Sequence, residues 1–165
     1  MKGLEFFQAR RHVRYMVGFR SFMPLALEEA RKAAARGEVP VGAVVVDASG
    51  HVLAAEGNRT RERHDPTAHA EMLAIRAACA RLGQERLTGC DLYVTLEPCA
   101  MCAQAVAHAR IRRLYFGADD PKSGGVLHGA RVFAHAQCHH APEVYDGLQA
   151  AAARTLLISF FEQLR

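Results

Sequence analysis

Short β-branched runs alternate with segments of helical periodicity along this chain, and this alternation restricts the fold more than any other feature. We predict four strands, at residues 41–46, 52–55, 91–95 and 113–116. The turn at 47–50 makes the first two strands a hairpin. Helices are predicted over residues 24–36, 68–82 and 100–109, with a long C-terminal helix of irregular start inside 142–165. The expected fold is α/β: a three-layer α/β/α sandwich with a mixed central sheet.

The composition is that of one globular domain. Half of the 165 residues are hydrophobic and 23% are charged, and no apolar run approaches the ~18 residues of a membrane span, so we expect no membrane partner. Five cysteines are an odd number, which argues against a disulfide framework and favours a reducing, cytoplasmic location. The formal charge of +4 is compatible with nucleic acid but does not require it.

The first 21 residues stand apart from this pattern. They carry much of the basic excess, with aromatic residues among the arginines, and charges interrupt any apolar core of a signal peptide. We expect a poorly ordered N-terminal extension over residues 1–21, followed by one domain over 22–165. An RNA-binding arm is the alternative interpretation, and Met16 and Met23 are alternative starts.

Two short motifs place metal-ligating side chains where predicted strands give way to predicted helices. They are His69-Ala70-Glu71 and Pro98-Cys99-Ala100-Met101-Cys102. Two thiolates and one imidazole supply three zinc ligands, and catalytic zinc, unlike structural zinc, keeps its fourth position for water. Cys99 and Cys102 are three residues apart, so one helical turn places both sulfurs on one face. His69 and Glu71 are two apart and converge only in, or just before, a first helical turn.

Glu71 adds a proton carrier to this metal site. Zinc lowers the pKa of bound water towards about 7, and a neighbouring carboxylate can carry the proton of that water to a leaving amine. The order H-x-E followed by P-C-x-x-C is typical of zinc deaminases that act on nucleobases. A redox Cys-x-x-Cys is the main alternative for the two cysteines, but it leaves His69 unexplained. A second metal at Cys138, His139 and His140 is disfavoured because no second repeated spacing accompanies them.

From about residue 22 to residue 164, the chain resembles the bacterial tRNA-specific adenosine deaminases of the cytidine deaminase-like superfamily. The matching stretches are Glu38 to Val44 (EVPVGAV), Gly57-Asn58-Arg59, HDPTAHAE at 64–71, LYVTLEPCAMC at 92–102, Ala109-Arg110-Ile111, Phe116-Gly117-Ala118, Asp120, and Lys122 to Gly124. Phe160-Phe161 also matches. The pair is either a stacking surface or helix core, and we expect helix core. Only one basic residue follows the pair, where family members commonly end in a basic helix, and this departure weakens the case for a C-terminal RNA contact.

The resemblance implies hydrolytic, zinc-dependent deamination of adenosine to inosine at the wobble position of a tRNA anticodon stem-loop. It also implies a homodimer with one Zn²⁺ per subunit and each site near the subunit interface. The residues carried over are the zinc ligands His69, Cys99 and Cys102, the proton shuttle Glu71, and the substrate contacts Asn58, Val41 and Asp120. In the family pattern, Asn58 contacts the flipped nucleotide, Val41 lines the pocket wall and Asp120 lies near the ribose.

Two other functions stay open from the sequence. A deaminase of a free nucleobase or nucleoside, such as guanine or cytosine, shares the zinc motifs, although the segment 109–124 and the basic balance favour tRNA. A non-catalytic, zinc-stabilised RNA-binding module is disfavoured because a structural site needs no Glu71. The candidate phosphate contacts are Arg59, Arg61, Arg63, Lys122 and Arg131.

Overall fold

The computed structural model describes residues 18–164, which form one sheet with helices on both faces. The strands are β1 (Gly42–Val46), β2 (Val52–Gly57), β3 (Asp91–Leu96), β4 (Arg113–Ala118) and β5 (Glu143–Tyr145). The α-helices are α1 (Met23–Ala35), α2 (Ala70–Leu82), α3 (Ala100–His108) and α4 (Ala150–Glu162), and a 3-10 turn spans Val132–Ala134.

The sheet is mixed, as the sequence predicts. Its strand order is β2-β1-β3-β4-β5. β1 is antiparallel to both of its neighbours, whereas β3, β4 and β5 are parallel. Because β2 and β3 both oppose β1, they run in the same direction and end at the same edge of the sheet. Parallel neighbours also require a crossover, and α3 connects β3 to β4 in this way.

Alternate residues along each strand divide the interior into two cores. Ala43 and Val45 of β1 pack in the core that contains the inner faces of α2 and α3. Val44 and Val46 of the same strand pack with α1 and α4. Small residues at every fourth position of α2, Ala70, Ala74 and Ala78, form the buried side of that helix. The two cores confirm the predicted three-layer sandwich.

The C-terminal region differs from the prediction of a single helix with an irregular start. Residues Glu143–Tyr145 form β5, which pairs with β4 through Val144 and Leu114. The helix itself begins at Ala150. Three residues are too few to show the alternating pattern that identifies a strand, so β5 could not be predicted from the sequence.

The predicted extension over residues 1–21 lies largely outside the described residues, which begin at Gly18. Within the described part, the Phe19 ring packs 5.5 Å from that of Tyr115. Phe22 packs edge-on against Tyr93 at 5.6 Å. The boundary between extension and domain stays a prediction. Among residues 18–164, no helix combines the length and apolar character needed to cross a membrane.

Candidate active site

The topology explains why two motifs 30 residues apart meet. The loop after β2 leads to His69, the residue that precedes α2, and the short connection after β3 leads to Cys99, which precedes α3. Both residues have extended backbones, with φ and ψ of −70° and 151° for His69 and −68° and 173° for Cys99. Because β2 and β3 end at the same edge of the sheet, the two helix starts lie side by side.

The three predicted metal ligands converge within bonding distance of one ion. His69 Nδ1 lies 3.7 Å from Cys99 Sγ and 3.5 Å from Cys102 Sγ. All three ligand atoms lie within 4.8 Å of one another. Tetrahedral zinc with ordinary bond lengths separates a nitrogen and a sulfur ligand by about 3.5 Å. The donor set and its spacing therefore fit one zinc ion held by three protein ligands.

Hydrogen bonding favours the thiolate form of Cys99. The Cys102 thiol donates to Cys99 and, with His69, lowers the pKa of Cys99 to about 4. The same contact with Cys99, together with burial, raises the pKa of Cys102. The hydrogen bond with Cys99 raises the pKa of His69. Metal binding must displace the proton that these groups share, since zinc takes thiolate and neutral imidazole ligands.

Glu71 lies in the first turn of α2, two residues after His69, and only 4% of its surface is exposed. Burial raises the pKa of Glu71 to about 7, although His69 acts in the opposite direction. A carboxyl group that titrates near neutrality can both accept and donate a proton at working pH. This property matches the proton-transfer role predicted from the motif.

Asn58 links the strand edge to the start of α2. Its side-chain Oδ1 accepts the Ala70 backbone N–H at 2.8 Å, and its own N–H donates to the Val41 carbonyl at 3.1 Å. Asn58 is buried, and its Nδ2 has no hydrogen-bond partner within residues 18–164. Val41 is also buried, at 5% exposure. The structure thus places Asn58 beside the residue that follows His69, and Val41 beside Asn58.

Asp120 organises the turn that follows β4. Its Oδ1 accepts backbone N–H groups from Lys122 at 3.1 Å and from Ser123 at 3.0 Å. Its carbonyl accepts the Gly124 N–H at 2.9 Å. The predicted ribose contact therefore has a local structural role as well, because the same carboxylate shapes the turn.

Two buried carboxylates that hold the loops around the site escaped the sequence analysis. Glu38, with 1% exposure, accepts the backbone N–H groups of Arg61 and Glu62 at 2.9 Å and the Thr60 hydroxyl at 3.1 Å. It anchors the loop that connects Asn58 to α2. No local pattern could have identified Glu38, because its partners lie more than 20 positions away in the sequence.

Glu97 holds the loop that follows β4. It is 2% exposed and bonds to four backbone N–H groups of residues 120–128 and to His128 Nδ1. Burial raises the pKa of Glu97, but the bonds from Asp120, His128 and Leu127 prevail and lower it overall. The carboxylate is therefore ionised at neutral pH.

The five candidate phosphate contacts divide into two groups. Arg59 bonds to Glu62 at 2.7 Å, and Arg61 donates to the Gly37 carbonyl at 3.1 Å. The exposed side chains of the other three make no hydrogen bond or ion pair within the described part of the chain, namely Arg63, Lys122 and Arg131. Arg63 precedes the His69 motif, and the last two lie in the loop that Glu97 holds or just beyond it.

Other sequence features have local structural roles. His140 Nε2 bonds to the Ile111 carbonyl at 2.6 Å, and His135 Nε2 bonds to that of Ala130 at 2.6 Å. The prediction that the Phe pair belongs to the helix core is correct for Phe160, which is 7% exposed, and wrong for Phe161, which is 49% exposed. The two residues point to different sides because successive helical positions are about 100° apart.

Comparison with known proteins identifies the family. A profile of the cytidine and deoxycytidylate deaminase zinc-binding region matches residues 18–118. A tRNA-specific adenosine deaminase from Agrobacterium fabrum is 60% identical over 144 residues, which cover 87% of this chain and 94% of that one. This chain belongs to the tRNA-specific adenosine deaminases. A tRNA-specific adenosine deaminase from Aquifex aeolicus is 43% identical over 149 residues, which cover 90% of this chain and 97% of that one.

Solved structures agree with this assignment. A tRNA:A34 deaminase studied for A-to-I editing at the wobble position of transfer RNA has a TM-score of 0.81 and 61% identity, over 82% of this chain and 98% of that one. A guanine deaminase from Nitrosomonas europaea has a TM-score of 0.74 and 28% identity, over 96% of this chain and 93% of that one. The predicted fold and family are confirmed. As a tRNA-specific adenosine deaminase, the protein is a hydrolase of the zinc-dependent deaminase class, with His69, Cys99 and Cys102 positioned to bind one metal ion.

Proposed function

We propose that this protein hydrolyses adenosine to inosine at the wobble position of a tRNA anticodon. The convergence of three zinc ligands with the buried Glu71 is the observation that carries the chemistry. The choice of substrate is supported by the names of relatives that match almost end to end. Water supplies the oxygen in this reaction, the C6–N6 bond of adenine breaks, and ammonia leaves.

His69, Cys99 and Cys102 hold the zinc ion in this proposal. Zinc, when bound, makes water a nucleophile at neutral pH by lowering its pKa. Glu71 accepts one proton of the attacking water and delivers it to ring N1. It then transfers the remaining proton of the new C6 hydroxyl group to the exocyclic nitrogen, so that ammonia rather than an amide ion departs. Its raised pKa suits both transfers, since the same group must first accept and then release a proton.

The substrate contacts follow from the arrangement around the metal ligands. The Nδ2 group of Asn58 can donate to the nucleotide while its Oδ1 remains bound to Ala70. Val41 forms part of the apolar wall of the base pocket. Asp120 is proposed to contact the ribose, which it can do through the oxygen that the turn leaves unused.

An anticodon loop is a suitable substrate because its bases are single-stranded. Turning one base out of the loop costs little compared with extruding it from a duplex. Arg63, Lys122 and Arg131 are the preferred phosphate contacts, since their charges are not occupied by partners within residues 18–164. Arg59 and Arg61 serve mainly to shape their loop.

The working unit is proposed to be a cytoplasmic homodimer formed by the domain over residues 22–165, with one Zn²⁺ per subunit. Light scattering coupled to size-exclusion chromatography tests the assembly. A mass of twice 18.1 kDa is expected. A monomer that is fully active at the same concentration refutes the dimer.

The deciding experiment incubates the zinc-loaded protein with an anticodon stem-loop that carries adenosine at the wobble position. Inosine is measured after nuclease digestion, and a stem-loop with guanosine at that position is the control. Free adenosine, cytosine and guanine are tested in parallel. Inosine formed from the stem-loop alone supports the proposal, whereas turnover of a free base with an unchanged stem-loop overturns it.

Guanine deamination is the second candidate. The similarity to the Nitrosomonas europaea guanine deaminase over nearly the whole chain favours it, and the two proteins share one zinc-deaminase fold. The higher identity to tRNA-specific deaminases ranks it lower. Formation of xanthine from guanine by the wild-type protein would support guanine deamination.

A further inference from the structure

One buried charge beside the metal site has no part in the chemistry described above. The Glu97 side chain is 0% exposed and lies two residues before the ligand Cys99. All of its hydrogen bonds go to a single segment, residues 120–128. A buried carboxylate is tolerated only when such donors surround it. The bonds therefore tie this segment to the end of β3.

The two oxygens of Glu97 divide the segment between them. Oε1 accepts backbone N–H groups from Val126 at 3.2 Å, Leu127 at 2.8 Å and His128 at 3.0 Å. Oε2 accepts the backbone N–H of Asp120 at 3.0 Å and the Nδ1–H of the His128 ring at 2.7 Å. Both ends of the loop thus meet at one carboxylate.

Close packing brings the same segment against the start of α3. The Gly125 N–H donates to the Pro98 carbonyl at 2.8 Å, and a Cβ at Gly125 would lie 2.5 Å from the Ala100 nitrogen. A Cβ at Gly124 would lie 2.6 Å from the Glu97 carboxylate itself. The loop is thus packed against the start of α3, and Glu97 is the buried side chain that bonds to both ends of the loop.

We propose that Glu97 is a positioning residue, which latches residues 120–128 against the metal-binding end of α3 and so holds Asp120 at the substrate. Glu97 touches neither substrate nor metal and acts through the loop. The role given to Asp120 rests on the function proposed above. The attachment of residues 120–128 by Glu97, which we call the latch, rests only on the hydrogen bonds of Glu97 and the packing of Gly124 and Gly125.

The substitution Glu97→Gln tests separately the bonds that Glu97 makes to Asp120 and to residues 126–128. The amide oxygen can replace only one carboxylate oxygen. When it takes the Oε1 position, it keeps the three N–H bonds of residues 126–128, but the amide nitrogen then faces the Asp120 N–H, donor against donor. His128 can adapt because its ring nitrogen can become an acceptor in the other tautomer. The variant is therefore expected to release Asp120 selectively.

Hydrogen exchange and steady-state kinetics test the proposal on the zinc-loaded protein. In Glu97→Gln, we expect the Asp120 amide to exchange at least roughly tenfold faster, whereas the amides of 126–128 change less. The KM for the stem-loop should rise about tenfold, with kcat within about threefold of wild type, because a bond to a charged acceptor is lost outside the reacting atoms. Zinc content should stay the same.

Asp91→Asn is the matched control. Asp91 opens β3, at the opposite end of the strand from Glu97, and its buried carboxylate pairs with Arg112 at 2.9 Å. This variant also neutralises a bonded carboxylate and can lower stability, but it should leave the KM and the exchange of Asp120 unchanged. A rise in KM that both variants share points to general destabilisation and overturns the positioning role.

The outcomes separate the latch from the proposed function. Equal exchange of the Asp120 amide in wild type and Glu97→Gln overturns the latch, whatever the substrate is. Faster exchange with an unchanged KM overturns the positioning role. If the wild-type protein forms no inosine, the proposed function fails instead, and the exchange of Asp120 then decides the latch by itself.

Discussion

At the scale of single residues, Glu71 separates metal binding from proton transfer. We expect Glu71→Gln to keep the shape of the buried side chain and the zinc content, but to lower kcat by about 10²- to 10⁴-fold, because the amide cannot carry a proton. Single-turnover inosine formation and metal analysis measure the two properties. Glu85→Gln is the control, since that side chain is 89% exposed at the surface. Wild-type turnover in Glu71→Gln refutes the mechanism.

The cysteines make an independent prediction at the same scale. Cys99→Ala should reduce bound zinc from one ion per chain to nearly none and lower the melting temperature, because two remaining ligands hold the ion weakly and metal binding contributes to folding stability. Atomic emission and calorimetry check these effects. Cys79→Ala, a change in a half-buried cysteine of α2 that is not a ligand, should leave both unchanged. Unaltered zinc in Cys99→Ala contradicts its role as a ligand.

At the scale of secondary-structure elements, the strand directions explain what the sequence predicted and what it missed. The ligand motifs were found because Cys99 and Cys102 are close in sequence and because cysteines accompanied by a histidine are typical zinc ligands. Glu38 and Glu97 were missed because their donors lie 22–31 positions away, and only the folded loops bring them together. β5 was missed because three residues show no periodicity. Local chemistry was therefore predictable, and the supports of the loops were not.

The contact between the loop and α3 gives a prediction at the element scale. Gly125→Ala places a methyl group against the Ala100 nitrogen and the Cys99 carbonyl carbon, at 2.5 Å and 2.7 Å. Backbone must move on both sides, so we expect the free energy of unfolding to fall by about 1–3 kcal/mol. Urea denaturation measures this loss. Ser123→Ala changes a neighbouring, exposed side chain and should alter stability by less than about 0.5 kcal/mol. Equal stability of the two variants contradicts the close packing.

At the scale of the whole molecule, the placement of charge matters more than the net charge of +4. Two of the five candidate cations already have partners, Arg59 in Glu62 and Arg61 in the Gly37 carbonyl. The side chains of Arg63, Lys122 and Arg131, which make no ion pair within residues 18–164, lie in the loops that follow β2 and β4. Because phosphate contacts fix position without reading sequence, these side chains are expected to set the affinity for the stem-loop and its salt dependence.

The salt dependence of binding distinguishes a local contact from net charge. For Lys122→Gln, we expect weaker binding of the stem-loop and a plot of log K against log salt that is shallower by about 0.7, the change for one phosphate contact on a single strand. Fluorescence anisotropy at several salt concentrations measures both. Arg31→Gln removes the same charge from α1, on the opposite face of the sheet, and should keep the wild-type slope. The same reduction in both variants means that Lys122 acts only through net charge.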